Sequence, residues 1–396
     1  MRTLFLLFSL ITLTEVNAQV YSSFQKQVAR LYLPSEVEKA WEEFLDQHQI
    51  PLIDKDSIAF LYRGDAKTVS WMGDFNGWGY DKKFKNAGAK IPNTNIWILK
   101  TSFPEDARLD YKIVIDETNW ILDPSNPHQQ WSGVGGGSPN SELRMPRWRE
   151  DPISQPMDAI FHGRVERDIL INSKELGYQI SYSVYLPANY KAKSTEVYPI
   201  IYVTDGYEYM HDRMGNMITI LDNLIHLKKI KPIIAVFIDQ REPVNRSNNR
   251  RMIELAMNEH YLNFVVSELI PKVETQYPIS TNPKDRAILG TSMGGLTAAY
   301  FSFSKPDIFG LAGIQSPAFW FRPEIYSYCD NPNKPPVKTF MTSGQINDTE
   351  EGASKMKSIL DKNTCTYEYK EVNQGHSWGN WRDLIDDMLI YFFPVN

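Results

Sequence analysis

The feature that most constrains the fold is a glycine-rich turn between a strand-like run and a helix-like run. Residues 286–289 are mainly apolar, residues 290–295 read G-T-S-M-G-G, and residues 296–301 suit a helix. A G-x-S-x-G turn in this context strains the serine backbone and lifts its hydroxyl above the sheet, at the positive end of the helix. Ser292 is therefore a candidate nucleophile, and the Met293 N–H is a candidate donor to an oxyanion.

The C-terminal part of the chain has the pattern of a parallel sheet. From about residue 163, strand-like runs alternate with helix-like runs. The strand-like runs are 180–186, 198–203, 233–238, 287–289, 338–342 and 367–371. Such alternation predicts a mostly parallel sheet covered on both faces by helices.

A nucleophilic serine needs a base, and the base needs an acid that holds its ring in place. His376 lies in a loop after the last strand-like run, where the base is expected. Asp348 follows the preceding strand-like run and is the first candidate for the acid. Glu350 and Glu351 are alternatives, and all three carboxylates could instead simply open the next helix, whose N-terminus favours negative charge.

Two further positions are expected near Ser292. Gly206 follows an apolar run and lets the backbone turn, so that the Tyr207 N–H can face a developing negative charge. Trp378, two residues after His376, is expected to form a wall of the site. No metal or organic cofactor is expected, because the chemistry requires none and no His, Cys and Asp cluster has ligand spacing.

The N-terminal part has a different composition. Residues 34–48 have the spacing of an amphipathic helix, and short aromatic and β-branched runs between 57 and 145 predict a small antiparallel β-sandwich. The stretch 123–157 is rich in glycine and proline, is expected to contain no core element, and carries the domain boundary. The predicted domains are a sandwich with a short leading helix at 19–145, a linker at 146–162 and an α/β domain at 163–396.

The first residues indicate export. A basic start, a short apolar run at 4–13 and small residues at the end of the segment predict a signal peptide over residues 1–18. The mature chain is expected to be periplasmic or secreted, without a membrane span. The net charge of −6 does not favour nucleic-acid binding. Cys329 and Cys365 could pair or remain small buried thiols, and the oligomeric state stays open.

Four motifs together resemble the enterochelin (siderophore) esterase family. They are D-G at 205–206, R-M-I-E-L at 251–255, the turn at 290–295 and G-H-S-W at 375–378. The resemblance covers nearly the whole mature chain and implies the α/β-hydrolase fold shared with feruloyl and acetyl-xylan esterases. Residues 69–78 are similar to the immunoglobulin-like domain that precedes these esterase domains and glycogen-branching enzymes.

The resemblance implies roles for particular residues. Ser292 would be the nucleophile, His376 the base and Asp348 the acid, with Met293 and Tyr207 as backbone donors to the oxyanion. Arg251 and Glu254 would lie near the substrate cleft, or else form a surface ion pair. Trp320 would line the site, or else belong to the core. The implied activity is that of a serine carboxylic-ester hydrolase acting on catecholate siderophore esters.

Two alternatives remain at the level of sequence. One is a feruloyl or acetyl-xylan esterase, although four arginines in one region favour an anionic ferric catecholate or else form a solvated face. Those arginines are Arg241, Arg246, Arg250 and Arg251. The other alternative is a non-catalytic glycan-binding protein, in which tryptophans of the N-terminal domain would stack on sugars. The candidate tryptophans are Trp71, Trp78, Trp97 and Trp120.

Overall fold

The computed structural model describes residues 22, 24–26, 34–133, 137–193, 197–330 and 335–395. The predicted signal peptide, residues 1–18, lies outside the described residues. The chain divides into two compact units. The first comprises residues up to 129 together with 139–148, and the second comprises 130–138 together with 149–396.

The first unit contains a helix and two antiparallel sheets. Its elements are α1 (Pro34–Leu45), β1 (Leu52–Asp54), β2 (Ser57–Arg63), β3 (Val69–Gly73), β4 (Ala89–Lys90), β5 (Ile96–Ser102), β6 (Arg108–Ile115), β7 (Asn119–Ile121) and β9 (Ser138–Arg144), while β8 (Gln129–Ser132) begins at the boundary of the unit. One sheet has the order β1-β2-β5-β4, and the other contains β3-β6-β9 with β7 also paired to β6. Phe60 of the first sheet packs on Trp71 and Tyr111 of the second, with ring centroids 5.9 and 4.9 Å apart. The expected β-sandwich is therefore present.

The expectation that 123–157 contains no core element is wrong. Strand β9 pairs with the central strand β6, and residues 140–143 are buried. The polar Glu142 is accommodated because its carboxylate accepts hydrogen bonds from Arg108 Nε at 2.6 Å and from Arg144 Nη2 at 2.7 Å. A buried charge is tolerated when it is paired in this way, so a polar run can still form an inner strand.

The predicted linker 146–162 is in part folded onto the second unit. A single 3₁₀ turn covers Pro152–Ser154, and Ser154 is fully buried. The side-chain amide of Asn223 donates to the carbonyls of Ile153 and Gln155 at 2.8 and 2.7 Å. This part of the segment therefore belongs to the α/β unit, because a buried side chain holds its backbone.

The second unit is built on an eight-stranded sheet of order β10-β11-β13-β12-β14-β15-β16-β17. The strands are β10 (Arg164–Asn172), β11 (Gln179–Leu186), β12 (Ile200–Val203), β13 (Ile234–Asp239), β14 (Arg286–Thr291), β15 (Leu311–Gln315), β16 (Lys338–Gly344) and β17 (Tyr367–Val372). The helices are α2 (Gly206–Met210), α3 (Met217–His226), α4 (Arg251–Glu254), α5 (Glu259–Phe264), α6 (Ile270–Gln276), α7 (Met293–Ser304), α8 (Ile325–Cys329), α9 (Glu350–Lys362), α10 (Trp378–Arg382) and α11 (Ile385–Phe392). A π-helical turn, Val265–Leu269, joins α5 to α6, and a 3₁₀ turn, Pro283–Asp285, precedes β14.

The central strands are mainly apolar because both faces of the sheet are covered. Every residue of β12, β13, β14 and β15 is buried. Strands β13, β12, β14, β15, β16 and β17 are parallel to one another, so their carboxyl ends meet at one edge of the sheet. Loops at that edge carry the functional residues of open α/β sheets.

Two further findings concern membrane spans and the cysteines. No helix in the described ranges is long and apolar enough to cross a membrane. Cys329 and Cys365 carry free thiols, and burial raises the pKa of both. In this structure Cys329 is therefore a buried thiol and Cys365 a partly buried one, and the two are not paired.

Candidate active site

The turn around Ser292 depends on its glycines. Ser292 has a φ of 58° and immediately precedes α7. A methyl group on Gly290 would overlap the backbone of Gly294, and a methyl group on either glycine would overlap the hydroxyl of Thr204. The turn can therefore bring strand and helix this close only with glycine at both positions, and this closeness supports the strained conformation of the serine.

The structure brings Ser292, His376 and Asp348 together. His376 Nε2 lies 2.9 Å from Ser292 Oγ, and His376 Nδ1 lies 2.5 Å from Asp348 Oδ1. The Asp348 side chain is fully buried, whereas 34% of the His376 side chain is exposed. The imidazole can therefore take the serine proton while the buried carboxylate fixes its tautomer and orientation.

Asp348 is held by further donors. Its Oδ2 accepts from the Gly344 N–H at 2.5 Å and from Ser316 Oγ at 2.6 Å. The Ser316 hydroxyl in turn accepts from Trp381 Nε1 at 2.9 Å. Glu350 and Glu351, the alternative acids, occupy the first turn of α9 instead. The loop after β16 therefore presents Asp348 to the histidine.

The two candidate oxyanion donors lie in first helical turns. Met293 is the first residue of α7, and Tyr207 is the second residue of α2. Backbone N–H groups in a first turn have no acceptor within their own helix. Asp205, the residue immediately before α2, has a φ of 51°, and its N–H donates to Gln240 Oε1 at 2.9 Å. The assignment of both N–H groups to an oxyanion hole stays a prediction.

A cavity of about 250 Å³ opens at Ser292 and His376. Its lining consists of Ser132, Gly133, Glu208, Asn249, Arg251, Thr291, Ser292, His376, Ser377, Trp378 and Trp381. Arg251 and Trp378 therefore lie where the sequence predicted them. Arg251 is oriented by two acceptors, Asp205 Oδ1 at 2.8 Å and the Thr291 carbonyl at 3.2 Å.

Glu254 and Trp320 are not part of this cavity, so their predicted places in the site are wrong. Glu254 is fully buried and accepts from the Tyr178 hydroxyl at 3.0 Å. Burial raises its pKa to about 8. The alternative of a surface ion pair with Arg251 is also wrong, because Arg251 pairs with Asp205. Trp320 is 72% exposed, and its ring packs edge-on against Phe321.

The arginine-rich region does not present unpaired positive charge at the entrance of the cavity. Each of its four arginines lies within 4 Å of a carboxylate. The pairs are Arg241 with Asp239, Arg246 with Asp168 and Asp239, Arg250 with Glu242, and Arg251 with Asp205. Of the four, Arg251 is the one that lines the cavity. The charge argument for a strongly anionic substrate is therefore weakened by the fold.

Several lining residues were not identified from sequence. Glu208 lies two residues beyond the D-G motif, and Asn249 lies two residues before Arg251, so both were adjacent to motifs that were recognised. Ser132 and Gly133 belong to the glycine-rich stretch that the sequence predicts as a boundary, and no local signal indicates their place in the lining. Within the described ranges, no group of three His, Cys, Asp or Glu side chains could hold a metal ion.

Three relatives with curated descriptions each match part of the chain. The uncharacterized protein YjcH of Bacillus subtilis is 26% identical over 227 residues, which are 55% of this chain and 92% of that protein. The endo-1,4-beta-xylanase/feruloyl esterase of Xylanibacter ruminicola is 26% identical over 239 residues, 58% of this chain and 31% of that protein. The iron(III) enterobactin esterase of Escherichia coli K12 is 28% identical over 256 residues, 59% of this chain and 60% of that protein.

A solved structure extends the likeness to the fold of most of the chain. The enterobactin esterase FES from Shigella flexneri, crystallised in the presence of enterobactin, superposes with a TM-score of 0.69 at 20% identity. The alignment covers 85% of this chain and 93% of that one. At this identity the likeness shows that the two chains share a fold.

A family model decides the membership. The model of the Esterase family, described as Putative esterase, matches residues 173–392, which include the serine turn, the acid loop and the histidine loop. Since this match spans more than half of the 396 residues, the chain belongs to the Esterase family and is a carboxylic ester hydrolase.

Proposed function

We propose that the chain cleaves a catecholate siderophore ester through an acyl-enzyme on Ser292. The observation that carries the proposal is the hydrogen-bonded series Ser292, His376 and Asp348 at the mouth of a cavity. The enterobactin esterase relative and the shared fold support the siderophore ester as substrate. The cavity is lined by the indole rings of Trp378 and Trp381, which suit an aromatic acyl group.

The geometry supports a two-step reaction. Ser292 Oγ attacks the ester carbonyl carbon while His376 Nε2 takes the hydroxyl proton. The N–H groups of Met293 and Tyr207 stabilise the negative oxygen. The intermediate collapses, the ester C–O bond breaks, and His376 returns the proton to the leaving alcohol. A water molecule, activated by the same imidazole, then attacks the acyl-enzyme and releases the acid and Ser292.

The decisive experiment compares products and variants. The purified protein is incubated with iron-free enterobactin, ferric enterobactin, methyl ferulate and acetylated xylan, and products are separated by liquid chromatography. We expect release of dihydroxybenzoyl-serine units, and a loss of about 10³-fold or more in kcat for Ser292→Ala. Ser358→Ala, on the exposed face of α9, is the matched control and should behave as wild type.

Two outcomes would change the assignment. Full activity of Ser292→Ala would remove the acyl-enzyme mechanism. Release of ferulate or acetate, with enterobactin left intact, would replace the siderophore ester by the feruloyl or acetyl-xylan alternative.

We also propose that the protein is exported, with residues 1–18 removed as a signal peptide. The basic start followed by a short apolar run supports this localisation. Sequencing the N-terminus of the protein recovered from a periplasmic or extracellular fraction should give Gln19 as first residue. An intact Met1 in the cytoplasmic fraction would contradict it.

Glycan binding by the first unit is a second candidate function. Trp71 and Trp97 are buried in the core, so they cannot be stacking platforms. Trp78 and Trp120 instead stack on one another at 6.4 Å, and Trp120 is 46% exposed. An aromatic pair that includes one exposed ring suits the apolar face of a sugar. Affinity electrophoresis in gels that contain soluble glucans or xylan tests this. We expect the polysaccharide to retard the wild type and not Trp120→Ala. A wild type that migrates equally fast with and without polysaccharide would exclude glycan binding.

A further inference from the structure

Glu208 is a carboxyl in the catalytic cavity that the triad does not use. It lies on α2 and lines the cavity together with Ser292 and His376. Its Oε2 accepts from Trp378 Nε1 at 2.6 Å, and Oε1 receives no hydrogen bond from the described residues. The backbone of Gly133 passes so close to this carboxyl that a methyl group on Gly133 would overlap it. One oxygen is therefore fixed, and the other is left for a ligand.

The charged groups around Glu208 leave it without a cation of its own. Arg251, which lines the same cavity, forms its ion pair with Asp205, and Arg241 forms its ion pair with Asp239. From the loop after β17, His376 is already hydrogen-bonded to the triad residues. Residues 130–133, which approach from another side, are Gln, Trp, Ser and Gly and carry no titratable side chain.

The protonation state of Glu208 follows from this arrangement. Partial burial and the nearby Asp205 carboxylate raise the pKa of Glu208 to about 7, although the Trp378 hydrogen bond and the two arginines act in the opposite direction. A raised pKa means that the carboxyl is neutral in mildly acidic solution and ionised in mildly alkaline solution. A neutral carboxyl can both donate to and accept from a hydroxyl group, whereas an ionised carboxyl repels an anion.

We propose that the Glu208 carboxyl contacts the bound substrate and makes the cavity select esters that carry hydroxyl groups and no negative charge. The only arginine among the lining residues of the cavity is already paired, so no group in that lining offsets the repulsion of an anionic substrate. Where the siderophore ester is concerned, the inference rests on the proposed function. It then favours the iron-free, uncharged ester over the anionic ferric complex.

The experiment uses two simple esters and needs only esterase activity. The values of kcat/KM for 4-nitrophenyl acetate and for 4-nitrophenyl hemisuccinate, which carries a carboxylate, are measured from pH 5.5 to 8.5. The ratio of the two values cancels any pH dependence that the two substrates share. In the wild type, we expect the preference for the neutral ester to rise about tenfold through a midpoint near pH 7.

Two variants separate a substrate contact from a structural role. Glu208→Gln keeps the size of the side chain and an acceptor for Trp378, and its ratio should stay constant with pH. Asp212→Asn removes the same charge just beyond the end of α2, from a side chain that is 81% exposed. This variant should keep the wild-type profile. The proposal is overturned by a wild-type ratio that stays flat, or by a Glu208→Gln ratio that still rises with pH.

A second pair of substrates connects this result to the proposed function. Iron-free enterobactin should be cleaved faster than the ferric complex by the wild type, and Glu208→Gln should reduce that preference. If neither form of enterobactin is cleaved while the phenyl-ester ratios behave as described, the siderophore assignment fails and the role of Glu208 stands. A greater preference for the ferric complex would contradict the proposed selectivity.

Discussion

Asp348 and its neighbours illustrate how much of this site is decided by single hydrogen bonds. Three carboxylates in one short segment could have served as the acid when judged from sequence. Asp348 is buried, and its two oxygens receive hydrogen bonds from His376, Gly344 and Ser316, whereas Glu350 and Glu351 open a helix. A carboxylate fixed on both oxygens has no freedom to turn away from the imidazole, so it can hold the catalytic tautomer.

At this scale we expect Asp348→Asn to lower kcat for 4-nitrophenyl acetate by about 10³ to 10⁴-fold, because an amide can hold the wrong imidazole tautomer. Glu350→Gln, which makes the same change two residues later, should retain activity near that of the wild type. The measurement is steady-state kinetics at pH 8. A strong loss in the second variant with little loss in the first would move the role of the acid to the helix.

The serine turn is an element in which strand, turn and helix depend on one another. The helix α7 is buried along nearly its whole length, so it cannot shift away from the sheet without losing core contacts. Gly290 and Gly294 lie where the helix approaches Thr204 and the end of β12. The strained backbone of Ser292 therefore persists because packing on both sides holds it.

Alanine at two glycines should have opposite effects. We expect Gly290→Ala to destabilise the second unit by roughly 2 kcal/mol or more and to abolish activity, because the added methyl group overlaps backbone atoms. Gly352→Ala, in the first turn of α9, meets its nearest neighbour at 3.4 Å and should stabilise the protein by about 0.5 to 1 kcal/mol. Urea unfolding measures both, and a neutral Gly290→Ala would show that the turn can relax.

For the whole molecule, buried carboxyls make stability depend on pH. Glu254 lies inside the second unit, with one oxygen accepting from Tyr178 and the other without a partner among the described residues. Burial raises its pKa to about 8, above the value of about 4.5 in an unfolded chain. The folded state therefore binds this proton more tightly than the unfolded state does. Its contribution to stability is complete below pH 4.5 and is lost as the pH rises through 8.

We therefore expect the free energy of unfolding to fall between pH 5.5 and 8.5 by roughly 2 to 4 kcal/mol more in the wild type than in Glu254→Gln. The glutamine can still accept from Tyr178 and does not titrate. Urea unfolding of both proteins at the two pH values isolates this difference from the other titrating groups. Parallel pH dependences in the two proteins would show that Glu254 is ionised throughout.

Local signals in the chain were sufficient for the main architecture of the second unit. Apolar runs of strand length and the glycines around Ser292 reflect constraints within a few residues of one another. Asp348 and His376 each follow a strand-like run closely, so their places were also visible locally. These constraints are backbone geometry and hydrophobic periodicity, which a linear sequence displays directly. The same reasoning failed for β9, because a polar run becomes an inner strand only when a distant arginine pairs with its glutamate.

The electrostatics and the full lining of the cavity were decided by the tertiary structure. Gly133 and Glu208 come from separate segments of the chain, and nothing near either one in sequence indicates that they meet. The sequence predicts a positive surface from the four arginines, but the fold places a carboxylate beside each of them. Local sequence patterns determine which elements form. The charge of a site depends instead on which elements become neighbours in the folded sheet, and only the packed molecule decides that.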